Sequence, residues 1–181
     1  MTRPLQAKNL NMQAFAEAGV PLNGATPLQN LHRLEQETVG LQRDLLINWQ
    51  AKPELRVGSA TEMDIWLHLT AHTTLPLTCQ RCMGSVQTAL HTDQWYRFVA
   101  SEDVAMAEDD AAVEDLLVLG PQFDLIEVLE DELLMALPLV PMHDQCPDAP
   151  VPRAGDDSSA MPATEKPNPF ALLAQLKKND Q

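Results

Sequence analysis

Positive charge is scarce in this sequence, and so are aromatic rings and cysteines. Lys and Arg number 12 against 26 Asp and Glu, a formal net charge of −14 at pH 7. The deficit is concentrated: fourteen carboxylates and no Lys or Arg lie between Phe98 and Pro152, while the rest of the chain carries twelve of each sign. Nucleic-acid affinity rests largely on phosphate contacts made by a basic surface, so generic nucleic-acid binding is excluded for this third of the chain. It suits a basic protein partner or a solvated acidic surface. Three cysteines in 181 residues exclude a disulfide framework, and a chain of this length needs none to fold. No apolar run approaches the roughly 18 residues of a membrane helix. The opening MTRPLQAKNLNMQAFAEAG lacks the apolar centre of a signal peptide. The expectation is a cytoplasmic protein with reduced thiols and no membrane partner. At 4% aromatics, few rings can stack on bases. Trp66, Trp95 and Tyr96 are the candidates, at strand positions where rings more often pack. The chain also lacks Gly-x-Ser-x-Gly, a Walker loop and Gly-x-Gly-x-x-Gly, so no motif points to a hydrolase elbow or a phosphate cradle.

What is present is periodic. Thr26, Pro27 and Gln29 have the spacing of a helix start, and Leu28, Leu31 and Leu34 follow as one stripe. Val39 to Trp49 reads as a strand, and KPELRVGS after it as a turn region. Met63, Ile65, Leu67 and Leu69 alternate with Asp64, Trp66, His68 and Thr70, and the parity runs on through Leu75, Leu77 and Cys79. Pro76 marks an edge or a bulge in that run. Val86, Leu90, Tyr96 and Phe98 share one face of a second long strand. SEDVAMAEDDAAVED reads as an acidic, partly helical loop leading into LLVLG. Asp124 caps the clearest helix, whose stripe is Ile126, Leu129, Leu133 and Leu137 and whose end is set by Pro138 and Pro141. The prolines and polar residues of 147–168 read as a flexible linker. A short helix at 169–178 follows, with Phe170, Leu173 and Leu176 as its docking face.

The chemistry centres on LTCQRCMGSV. Cys79 and Cys82 fall on the connection between two long strands, a common place for a metal knuckle. Cys146 lies three residues after His143, in PMHDQCPD. Cys79, Cys82, His143 and Cys146 would form a tetrahedral Cys₃His set from two x-x spaced pairs, suited to one structural zinc. His68 and His72 have the wrong strand parity to join it. Redox use of the Cys-x-x-Cys is the alternative, although the helix that such a motif opens is missing. Three plain reduced thiols are another. Carboxylate clusters leave a metal-dependent nuclease as the enzyme alternative, with no cluster singled out.

LTCQRCMGSV, FDLIEVLEDELLMALPLVPMH and KPNPFALLAQLKK, with FAEAGVPLNGATPLQNLHRL near the start, resemble the bacterial YceD family, the large ribosomal RNA subunit accumulation proteins. The resemblance covers most of the chain apart from the linker. It implies a role in the synthesis, processing or stability of 23S ribosomal RNA and brings no catalytic residues. Some relatives carry a longer cysteine-rich segment after the Leu-Pro exit, where this chain has His143 and Cys146.

The expected architecture is α+β. A mainly antiparallel sheet, open or barrel-like, carries flanking helices over residues 1–146, with a tail behind it. The expected function is a non-enzymatic ribosome-biogenesis factor acting through a basic ribosomal or rRNA-processing protein. Glu127, Glu130 and Asp131 are its candidate acidic face. In the competing mechanism the chain contacts the RNA directly through Arg81 and Arg97 at the hairpin.

Overall fold

The structure, a computed structural model, describes residues 6–40, 44–58 and 63–147. All of them belong to the first of two compact units, Met1–Ala149. The expected linker beyond Pro147 and the expected helix carrying Phe170, Leu173 and Leu176 lie outside the described residues.

The elements are α1 (Met12–Ala18), β1 (Leu22–Pro27), a 3₁₀ turn (Leu28–Asn30), α2 (His32–Glu37), β2 (Leu46–Val57), β3 (Met63–Thr78), β4 (Ser85–Val99), α3 (Glu102–Glu108), β5 (Asp115–Val118) and α4 (Leu125–Met135). The strands form one sheet in sequence order, β1-β2-β3-β4-β5. Every pairing is antiparallel except β4 with β5, which is parallel. The sheet is open, with β1 and β5 at its edges, so the fold is α+β without barrel closure.

The long hairpin follows from its alternation. Ile65, Leu67, Leu69, Leu75, Leu77 and Cys79 are buried on β3 and the knuckle, and Val86, Leu90, Tyr96 and Phe98 on β4. Their face is roofed by α1, the Leu28–Leu31–Leu34 stripe and α4, which join it in one core. Asp124 caps α4, its Oδ1 accepting from the Ile126 and Glu127 amides. Leu125, Ile126, Leu129 and Leu133 are its buried residues together with Glu130.

Three local expectations are corrected. β2 starts at Leu46 and continues through the expected turn to Val57. Pro53 fits inside it because β1 ends opposite Ala51, so one side of β2 has no neighbour there to ask for an N–H. Leu22–Pro27 form strand β1, so Thr26 and Pro27, expected to start a helix, lie in a strand. Thr26 caps no helix: it lies within β1, and its hydroxyl accepts from Trp49 Nε1 at 2.9 Å. Pro76 obeys the edge reading. β2 pairs with β3 only as far as His72, and the Pro76 carbonyl accepts instead from the Val39 amide at 2.9 Å.

Candidate metal centre

β3 and β4 close on the pair Thr78 and Ser85, and the six residues between form the knuckle. The Cys79 amide donates to the Gly84 carbonyl at 2.8 Å, and the Met83 amide to the Cys79 carbonyl at 2.9 Å. The second of these bonds closes the turn that returns Cys82 toward Cys79, and Met83 itself takes the left-handed conformation, φ 60°, which redirects the chain into β4. The second pair arrives from α4. α4 ends at Met135, ahead of Pro138 and Pro141, and the Pro141 carbonyl accepts from the Gln80 amide at 2.9 Å. That bond lays residues 141–146 against the knuckle.

All four expected ligands meet there. The Cys79, Cys82 and Cys146 sulfurs and a His143 ring nitrogen lie within 4.8 Å of one another. A tetrahedral zinc with bonds of about 2.3 Å to sulfur and about 2.0 Å to nitrogen separates two sulfurs by roughly 3.8 Å and sulfur from nitrogen by roughly 3.6 Å. The Cys79–Cys146 sulfurs are 3.7 Å apart, Cys82 Sγ is 3.5 Å from His143 Nδ1, and Cys146 Sγ is 3.9 Å from it. The donor set therefore fits one tetrahedral ion. His143 is also in the correct tautomer. Its Nε2 lies 2.9 Å from the Ser85 carbonyl, which can only accept, so Nε2 carries the proton and Nδ1 keeps its lone pair for a metal.

The electrostatics prepare the sulfurs. Burial pushes the Cys79 thiol up, but the backbone N–H groups of Cys82, His143 and Arg81 outweigh it and hold the group down at about 5. The Gly84 N–H favours the Cys82 thiolate, yet burial and the Cys146 and Cys79 sulfurs push that thiol up. His143 is raised by its bonds to the Cys79 and Cys146 sulfurs. A cluster that favours some thiolates and disfavours their accumulation is relieved by a dication at its centre.

The other candidate residues are placed differently. Arg81 turns onto the knuckle, with Nε 3.0 Å from Cys146 Sγ and Nη2 2.7 Å from the His143 carbonyl. Arg97 pairs with Glu114 at 2.6 Å and Glu108 at 2.7 Å. Glu127 is exposed. Glu130 is not part of an open acidic face: at 8% exposure it turns inward, because its Oε1 accepts from the Arg33 and Leu34 amides at 2.7 and 3.2 Å. Asp131 pairs with the same Arg33. His68 stays away from the knuckle, as its parity requires. It stacks on Trp95 at 4.2 Å, and Trp95 in turn meets the Arg56 guanidinium at 4.1 Å. Arg56 also covers Trp66 at 4.3 Å. Tyr96 is buried at 2% and bonds Glu132. The rings offered for base stacking are thus occupied within the chain.

Sequence reasoning missed the Ser85 carbonyl and the Gln80–Pro141 bond, since backbone groups leave no side-chain signal. It offered Arg81 as an RNA contact and not as a partner of Cys146 and the His143 carbonyl. Its place between the two cysteines was the available clue.

Fold and site together define a small α+β protein with a closed four-donor Cys₃His cluster that could hold a metal ion, clamping a hairpin tip to a helix exit. The protein-family model for large ribosomal RNA subunit accumulation protein YceD matches residues 67–177, and the chain belongs to the YceD family. The large ribosomal RNA subunit accumulation protein YceD of Haemophilus influenzae is 37% identical over 105 residues, 56% of this chain and 59% of that protein. The chain thus spans little more than half the length of this curated relative. No solved structure matches the chain.

Proposed function

We propose that this chain is a non-enzymatic, cytoplasmic ribosome-biogenesis factor that supports accumulation of 23S ribosomal RNA, and that it acts through a basic protein partner. One structural zinc, held by Cys79, Cys82, His143 and Cys146, keeps the hairpin tip and the helix exit together. Four protein donors complete a tetrahedron and leave no open position for a substrate or water, which is the signature of a structural rather than a catalytic ion. When bound, the ion supplies cross-linking and charge compensation for the thiolates.

The observation that carries the choice of partner is the internal commitment of the RNA-facing candidates. Arg81 and Arg97 are spent on the knuckle and on Glu108 and Glu114. Trp95 is covered on one side by His68 and touched by Arg56. Base stacking there requires displacing these groups, in a chain of net charge −14. Glu127 and Asp131, the latter paired with Arg33, remain exposed carboxylates of α4, and Phe170, Leu173 and Leu176 remain the proposed docking face of the tail.

Two measurements test this. Purified protein titrated into fragments of 23S rRNA at physiological salt should show no saturable gel shift. A tight shift would overturn the partner mechanism in favour of direct recognition. Elemental analysis of untagged protein should find about one zinc per chain, the stoichiometry of a Cys₃His site. Zinc-free protein with three freely reacting thiols would remove the structural ion from the proposal.

A further inference from the structure

We infer that Arg81 is a positioning residue for the metal centre: its guanidinium seats Cys146 and the 143–146 segment on the knuckle and offsets the charge of the zinc–thiolate core. The inference rests on the zinc reading above and goes beyond it, since the four donors alone assign Arg81 no part.

The geometry is specific. Arg81 Nε donates to Cys146 Sγ at 3.0 Å, while Nη2 donates to the His143 carbonyl at 2.7 Å and the Asp144 carbonyl at 3.3 Å. One planar fork therefore spans a ligand sulfur and the backbone of the segment that delivers both distal ligands. Lysine has no counterpart to this reach, because its ammonium is a single point. Three thiolates and a neutral imidazole around a dication leave one net negative charge. Arg81 supplies one opposing charge. It is also the sole Lys or Arg between Arg56 and Arg97, so a strongly acidic chain has placed a scarce cation against this cluster. Its carbonyl bonds need no metal, so they hold residues 143–146 near the knuckle before an ion arrives. Arg81 is exposed and Cys146 only partly buried, so this sulfur bond is made where solvent reaches the cluster.

The expected division of labour is that the four donors decide whether zinc binds and Arg81 decides how slowly it leaves. Zinc-loaded R81A should release its metal to a competing chelator roughly tenfold faster or more, the usual effect of losing a group that orients a ligand. Its Cys146 should also alkylate faster with iodoacetamide. R81K keeps the cation and loses the fork, and should fall between. In cobalt-loaded protein, losing the N–H···S bond should shift the thiolate-to-metal charge-transfer band of R81A, with the circular dichroism of the sheet unchanged. A merely structural arginine would not move that band. Release and alkylation within about twofold of the parent, well under the effect expected of such a group, together with an unmoved band, would overturn the inference. A wild-type protein that takes up neither zinc nor cobalt would overturn the centre itself. That failure is read before any substitution is made, so it is distinct from a failure of Arg81.

Discussion

Glu130 is where the acidic helix is most exposed to a quantitative test, because its carboxylate caps a different helix. The residue preceding α2 is Leu31, which offers no side-chain cap. The orphan amides of Arg33 and Leu34 are instead satisfied by Glu130 Oε1, at 2.7 and 3.2 Å, from the neighbouring helix α4. E130A strips both amides of their acceptor. Each such loss costs about 1–2 kcal/mol when the group is poorly hydrated, and Leu34 is fully buried. The sum is about 3 kcal/mol, or roughly 6–12 °C in melting temperature for a domain of this size. E130Q retains an oxygen of the same reach and should lose less than half as much. R33A removes a guanidinium whose side chain is 49% exposed, leaves both amide bonds in place, and should lose least. Urea unfolding of the three variants followed by circular dichroism ranks them. If R33A proves as costly as E130A, the ion pair rather than the cap holds these helices together, and the reasoning fails.

C79S and C82S should each bring the zinc content close to zero by elemental analysis, and H143A should weaken binding without abolishing the sheet. G24A should cost about 1–3 kcal/mol, because a Cβ at Gly24 would stand 2.2 Å from the Trp49 ring; a neutral result in thermal melts would mean the ring moves freely. Glu114 gives a pH signature. Burial raises its carboxyl, but Arg97 outweighs that and holds it below the usual carboxylate range. A depressed folded-state value means that its stabilisation is present above the unfolded value, about 4.3, and is lost as the pH falls through the folded one. E114Q should therefore flatten the acid limb of a stability–pH curve and leave a smaller gap from wild type at low pH than at neutral pH.

The strand parities of β3 and β4, the Asp124 cap and the two x-x spaced ligand pairs could be read from residue spacing, because each depends on a short local period, whereas the meeting of the two pairs depends on the Gln80–Pro141 bond. The same parity kept His68 and His72 out of the ligand set. What could not be read depended on neighbours distant in sequence. Pro53 looks like a turn until β1 is known to stop short of it. Thr26 looks like a cap until Trp49 arrives across the sheet. Glu130 looks like one more exposed carboxylate until α2 is docked without a cap of its own, and Arg81 like a free cation until residues 143–146 fold over it.

The uneven reach of β2 divides the sheet into two regimes. From Ile65 to His72, β3 has a strand on both sides; from Thr73 onward it is paired with β4 alone. A bare two-stranded ribbon is marginal in water. The outer half of the hairpin thus depends on the α2–α4 roof above it and on the knuckle at its tip. Opening of this half need not be opening of the protein. Amides from Thr73 to Leu90 should exchange as a cooperative block when the thiol cluster or the Glu130 cap is damaged, while β1 and β2 keep their protection. Damage at the two places should then combine less than additively, since either one already releases the same block.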